Sequence, residues 1–199
     1  WEVFVNWSKN KNKVTKLGPE GDPILSSGGA GVRHITRIGD AVGSYYGFVV
    51  EGIYQNQAEI DNAPVDQLVG PGGARPGDFR FKDVDGDGVI TNDDRTVIGN
   101  YQPDYTYGIT NRFSYKGVDL SVFIQGVGGR EVLNLTARHL MNGEANFGSY
   151  AVLNDRWISE SDPGNGEHPR ADRSTGTHGN NNRESSYQVS DGSYLKIKN

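Results

Sequence analysis

The strongest constraint on this chain is a two-residue alternation running from Asp104 to Val127. Tyr105, Tyr107, Ile109, Phe113 and Tyr115 occupy one parity, and Thr106, Gly108, Thr110, Arg112 and Ser114 the other; Asn111 is the polar break in the apolar set. Successive strand side chains point to opposite faces, so this run has one apolar and one polar face. Lys116-Gly117 supplies a two-residue turn with glycine available for positive φ. Val118, Leu120, Val122 and Ile124 then resume the alternation against Asp119, Ser121, Phe123 and Gln125. Each arm is about ten residues, longer than a typical soluble strand and long enough for a tilted strand to cross a membrane. A long hairpin in a soluble antiparallel sheet carries the same pattern, so alternation alone leaves both open.

The chain starts in a similar run. Trp1, Val3, Val5 and Trp7 alternate with Glu2, Phe4, Asn6 and Ser8; Lys9-Asn-Lys-Asn12 reads as a polar turn, and Val14 to Leu17 as a returning strand. Leu195 to Asn199 reads as another strand, so both ends look cut and a longer protein is expected. Aromatic residues near strand ends suit a membrane interface. Long irregular stretches, Gly18 to Ala41 and Asp162 to Glu184, separate the strands, with short helices expected within Arg130–Met141 and Tyr150–Ile158. Such loops are rare in soluble domains but usual on one side of outer-membrane barrels. No apolar run approaches the ~20 residues of a membrane helix, which excludes helical membrane proteins but not barrels. A net charge of -5 argues against a nucleic-acid binder, and the absence of cysteine removes disulfides and thiolate metal sites.

One chemical motif has a sharp spacing. In the segment 76–98, Asp83, Asp85 and Asp87 stand at positions 1, 3 and 5 of a twelve-residue calcium loop, with Gly88 at 6, the Val89 carbonyl at 7, Thr91 at 9 and Asp94 at 12. Ca²⁺ takes six to eight oxygen ligands at ~2.3–2.6 Å, so the chain must wrap tightly to bring alternate side chains onto one centre. Asp94 replaces the glutamate of the EF-hand and reaches less far; dockerin-type loops use Asp there. The flanks argue against an EF-hand. Pro76 to Lys82 alternates like a strand, and only a short turn fits between Asp93 and Gly99. Crowded carboxylates repel one another without a cation, which favours Ca²⁺; a solvated acidic turn is the bland alternative.

Other candidates are weaker. His34, His139, His168 and His178 lack metal-ligand spacing and read as surface or loop residues. Gly28 to Gly31 and Gly126 to Gly129 lack the context of a phosphate loop. Glu51 with Glu59, or Glu131 with Glu144, could be drawn as acid/base pairs but read as solvated loop charges. No enzyme is expected.

Three ordered stretches carry a family resemblance: Gly77 to Gly99, Pro103 to Gly108 and Tyr115 to Gly126. Gly43 to Asn56, Asn154 to Trp157 and Asp191 to Asn199 support it. Together they resemble the SusC/RagA family of TonB-linked outer-membrane proteins. The resemblance implies an all-β fold over residues 1–199: antiparallel strands from the C-terminal region of a large transmembrane β-barrel, with long loops, short helices and a Ca²⁺-binding loop. It also implies an outer-membrane location and TonB-dependent import of oligosaccharides or peptides. A SusD-like surface lipoprotein would be the partner, and TonB would act through parts outside this chain. On this reading Arg112, Ser114, Asp119, Ser121 and Gln125 face the lumen, and the apolar parity meets outer-membrane lipid. The segment alone is not expected to fold, because its sheet edges would be open and its 28 glycines leave little core. The alternative from another class is a soluble secreted Ca²⁺-stabilised β-domain, such as a carbohydrate-binding module.

Overall fold

A computed structural model describes residues 1–27, 33–141, 143–144, 150–172 and 180–198. The first half carries β1 (Glu2–Ser8), β2 (Ile24–Ser27), β3 (Arg33–Thr36), β4 (Ser44–Gly47), β5 (Val50–Ile53), α1 (Gln57–Asp61), β6 (Val65–Asp66), β7 (Phe79–Phe81), β8 (Val89–Ile90) and β9 (Thr96–Gly99). The second half carries β10 (Tyr105–Tyr115), β11 (Val118–Gly128), β12 (Glu131–Leu133), α2 (Leu135–Leu140), β13 (Val189–Asp191) and β14 (Tyr194–Lys198). None of the described helices is long and apolar enough to cross a membrane.

The long hairpin forms as its alternation demands. β10 and β11 are 11 residues each and pair antiparallel without a register break. Lys116 and Gly117 have φ of 47° and 83°, the two positive values a type I′ turn needs to match strand twist. β1 adds to β10 and β14 to β11, giving an antiparallel sheet ordered β1-β10-β11-β14. Val5 lies opposite Ile109, Ile109 opposite Ile124, and Ile124 opposite Ile197. The apolar parities of all four strands therefore share one face. Trp1, Val5, Trp7, Leu120, Leu195 and Ile197 on it are exposed. The rings of Tyr107 and Tyr105 lie over Gly126 and Gly128, where any Cβ would collide with them. Within the described residues β1 and β14 are the edges of this sheet, and it does not close into a barrel.

The chain between β1 and β10 folds above the long-loop end of this wall. Its largest piece is a sheet ordered β2-β3-β4-β9, accompanied by the pairs β5-β7 and β6-β8. The β6-β8 pair is parallel, a departure from the antiparallel expectation. It spans two residues, and the intervening chain supplies the crossover a parallel pair requires. Val14 to Leu17 is a second departure, because it forms no strand. Val14 is buried; its N–H donates to the Asp40 carbonyl, and its own carbonyl accepts from Gly39. The polar turn before it is thus held against the loops rather than folded back on β1. Short helices do form in the two expected stretches, as α2 and a 3₁₀ turn at Ala151–Asp155.

The hydrophobic core sits in the loop assembly. Phe48, Ile53, Phe79, Phe81, Ile90 and Trp157 pack together, with Tyr187 partly buried against them. Backbone packs tightly beside it: a Cβ on Gly47 would stand 2.5 Å from the Glu184 carbonyl oxygen, whereas one on Gly18 would meet nothing within 4 Å. Gly47→Ala should therefore cost about 1–3 kcal/mol, the usual range for overpacking. Gly18→Ala should be close to neutral, and comparing the thermal unfolding of the two variants checks the close approach.

Candidate functional site

The acidic loop leaves β7, enters β8 at Val89 and ends in a 3₁₀ turn at Asn92–Asp94, with no helix on either flank. Its carboxylates are oriented by backbone N–H groups. Asp83 accepts from Gly86 at 2.6 Å and from Gly88 at 2.9 Å, Asp85 from Asp87 at 3.2 Å, and Asp87 from Val89 at 2.8 Å. One oxygen each of Asp83, Asp85 and Asp87 thereby comes within 4.8 Å of the others. The N–H groups of Val65 and Gln67 in and after β6 donate to the carbonyls of Gly88 and Ile90. Carbonyls alternate along a strand, so that of Val89 points away from β6.

Asp94 stands outside this trio and is fully buried. Its two oxygens accept from the N–H groups of Val84 and Thr91, each at 2.7 Å. Thr91 in turn accepts from Asp93 N–H at 3.1 Å. Asp94 ties the start of the loop to its end, and each of its oxygens retains a further lone pair. The N–H of Gly88, aided by that of Gly86, holds the Asp83 carboxyl below the usual carboxylate value despite some desolvation. At Asp85 the Asp87 N–H acts in the same direction, but desolvation and repulsion from Asp87, Asp94 and Asp83 outweigh it and raise the carboxyl. Oxygen donors at this spacing, one of them destabilised as an anion, fit a hard divalent cation. Asp94→Ala should remove the buried carboxylate that accepts both N–H groups and cost about 1–3 kcal/mol in all, because water reaches the freed N–H of the exposed Val84. The exposed Asp93→Ala should change little, and chemical denaturation of the two variants tests the tie.

Beside the loop lies a buried polar network that local sequence pattern did not disclose. Asp78, fully buried, accepts from Arg170 Nε at 2.8 Å, from Asn181 Nδ2 at 3.3 Å and from the Arg75 N–H at 2.8 Å. Asn180 donates to the Phe79 carbonyl and Asn181 accepts from the Phe79 N–H, so side chains complete one edge of β7. Arg183 grips Asp66 of β6 bidentately at 2.8 and 3.0 Å, its guanidinium over the rings of Phe81 and Phe48. Apart from the Arg75 bond, which is local, the partners of these bonds are 92 to 117 positions apart. A polar run such as Asn180-Asn-Asn-Arg183 reads as loop until the fold brings those partners to it.

Several weaker expectations are corrected by the same burial. Glu144 is not a solvated loop charge; it is buried and accepts from the Asn181 N–H at 2.9 Å. His168 is not a surface residue; it is buried, its Nδ1 at 2.7 Å from the Tyr187 hydroxyl. That hydroxyl also lies 3.0 Å from the Met141 carbonyl, which accepts from it. Glu131 accepts from the Asn100 N–H, Glu59 from that of Gln55, and Glu51 lies 3.9 Å from Arg80, so the drawn acid/base pairs have separate structural partners. Gly126 to Gly128 ends β11, His139 is exposed, and His34 lies against Tyr45. Gly28 to Gly31 and His178 lie outside the described residues.

No protein-family model matches the chain. Curated relatives do. TonB-dependent receptor P3 of Formosa agariphila is 35% identical over the whole chain, and TonB-dependent receptor P26 of the same organism 33% identical over the whole chain; each alignment covers 19% of the relative. The chain therefore spans about a fifth of the length of the curated relatives it matches. Among solved structures, one titled "Structure of the RagAB peptide transporter" matches with a TM-score of 0.66 at 17% identity, over 98% of this chain and 20% of that one, a likeness of fold. The relatives are named receptors, not enzymes, in agreement with the absence of a catalytic expectation. The chain is thus similar from end to end to a part of two TonB-dependent receptors, and it shares its fold with a part of the RagAB peptide transporter.

Proposed function

We propose that this chain forms part of the wall and outer loops of a large transmembrane β-barrel that imports nutrients in a TonB-dependent manner. The observation that carries the reading is the apolar face shared by β1, β10, β11 and β14, aromatic at both ends, with Trp1, Val5, Trp7, Leu120, Leu195 and Ile197 exposed and Tyr107, Ile109, Val122 and Ile124 half-buried. Trp7, Tyr105 and Tyr107 lie at the long-loop end; Trp1, Phe113 and Tyr115 lie at the end of the tight turn, with Trp1 stacked on Phe113 at 6.0 Å. From Tyr105 to Tyr115 a strand rises ~34 Å, which at a barrel tilt of ~40° spans ~25 Å of height. That equals the apolar band of an outer-membrane barrel between its aromatic girdles. A soluble domain would have to leave the same face in water, where a patch of this size drives association.

On this reading the tight turn at Lys116-Gly117 faces the periplasm and the loop assembly the exterior, where a SusD-like surface lipoprotein would dock. TonB would act through parts of the protein outside this chain. The cargo is an oligosaccharide or peptide, the classes the family resemblance implies. Tyr105, Tyr107, Ile109, Leu120, Val122 and Ile124 face lipid, while Arg112, Ser121 and Gln125 face the lumen. Leu120 lies opposite Phe113 in the turn-end aromatic band, so Leu120→Arg should destabilise the barrel by less than the about 2–4 kcal/mol of a mid-bilayer site but by more than Ser121→Arg, which should be well tolerated. Urea unfolding of the complete receptor in lipid compares them; equal or reversed effects would sink the assignment.

The loop assembly also binds Ca²⁺ on this reading, as a structural pin. Asp83, Asp85 and Asp87 and the Val89 carbonyl supply the first ligands; Thr91, directly or through water, and Asp94 complete the shell. Mg²⁺ is disfavoured because it demands a smaller octahedral shell and holds its waters. The direction of the Asp85 shift gives a sharp test. A raised carboxyl means that its anion destabilises the metal-free loop above its ordinary pKa, an effect that disappears as pH falls and it protonates. Asp85→Asn should therefore raise the melting temperature without metal at pH 7 yet weaken Ca²⁺ binding in calorimetry. Asp83 has the opposite sign: its hydrogen bonds contribute stability above its unfolded pKa, lost as pH falls through its lowered folded value.

A further inference from the structure

The chain has eight lysines, and Lys9, Lys11, Lys13 and Lys16 are half of them, within eight positions. No Asp or Glu lies between Glu2 and Glu20, so the run carries four positive charges on a chain whose net charge is -5. The run begins immediately after β1, two residues beyond Trp7. Trp7 lies opposite Tyr107 on the apolar face, and Tyr105 and Tyr107 stack beside it with centroids 6.3 Å apart. The lysines therefore follow directly on the aromatic band at the long-loop end of the wall.

The backbone of the run is held so that its cations stay outside. Asn12 is turned inward: its amide donates to the side chain of Gln102, and its carbonyl oxygen accepts from the Val42 N–H at 2.8 Å. Val14 is buried through its bonds to the 39–40 turn. Lys9, Lys11, Lys13 and Lys16 are all exposed, and among the described residues no carboxylate forms an ion pair with them. The arginines differ, since Arg138, Arg170 and Arg183 are paired with Glu184, Asp78 and Asp66. An anchored, unpaired row of cations costs little entropy to order and keeps its charge for a ligand outside the chain.

We propose that Lys9, Lys11, Lys13 and Lys16 bind the phosphate groups of the anionic glycolipid in the outer leaflet, fixing the receptor's depth at that surface. In that orientation the lysine run leaves the wall at its aromatic band, the level of lipid headgroups, and charge complementarity selects a phosphate-bearing lipid over a neutral one. Each lysine near such a surface contributes enough for a run of this size to shift binding at least about tenfold. This rests on the outer-membrane orientation proposed above.

The test uses the complete receptor in detergent, with lipid retention read by native mass spectrometry. The probes are monophosphoryl lipid A and the same lipid with its phosphate removed. The wild type should retain the phosphorylated lipid at least about tenfold more strongly, and the preference should fade as salt rises to about 0.5 M. The variant K9Q/K11Q/K13Q/K16Q should lose the preference while keeping its melting temperature. Lys116→Gln, at the opposite end of the wall, should keep it. Equal retention of both lipids by the wild type, or an unchanged preference in the quadruple variant, overturns the proposal. Loss of a co-purifying lipoprotein from the variant with lipid retention intact also overturns it, and assigns the lysines to a protein partner. A wild type that stays soluble without detergent and retains neither lipid overturns the orientation itself.

Discussion

The register of the β10-β11 ladder is the constraint on which the wall depends. A slip of one residue would turn every apolar side chain of a strand to the opposite face. Lys116 and Gly117 prevent it by closing a two-residue turn with both φ values positive. With that register set, β1 and β14 add in the only phase that joins Trp1, Val5 and Trp7 to Leu120 and Ile124, and these to Leu195 and Ile197. Tyr107 over Gly126 and Tyr105 over Gly128 reinforce it from the sides, since each ring needs a neighbour without a Cβ.

The loop assembly is stabilised differently. Its strands are short, so backbone pairing within them satisfies few groups, and side chains complete the rest. Asn180 and Asn181 bond both polar groups of Phe79 as a neighbouring strand would, and Arg183 links β6 to the aromatic core. Buried pairs such as Arg183-Asp66 and Arg170-Asp78 lose hydration that their attraction must recover, so their main contribution is to specify one arrangement of the loops. Breaking one partner would leave a charge buried and uncompensated.

The two regions meet in function. The wall supplies an apolar face, proposed above to meet lipid, whose height is set by strand length and tilt. The loops join the segment Asp83–Asp94 through β8 and β6 to the same core that Arg183 caps. The lysine run between them belongs to both: its inward residues are bonded to the loops, and its cations stand beside the aromatic end of the wall.

The sequence by itself determined the hairpin, its turn, the strands at Trp1 and Leu195, the donor spacing at Asp83 to Asp94 and the resemblance to SusC/RagA proteins. Each depends on neighbours a few positions away, where strand period, turn chemistry and ligand spacing are written directly. Only the tertiary structure decided that Asp78, Glu144, His168 and Asn180 to Arg183 are buried, that Val14 is held by the 39–40 turn, and that Asp94 ties its loop through two N–H groups. The reason is physical. A polar side chain is stable inside only when its partners are there too, and those partners come from segments on average far apart along the chain. Local pattern reports exposure for such residues, because alone each would remain in water.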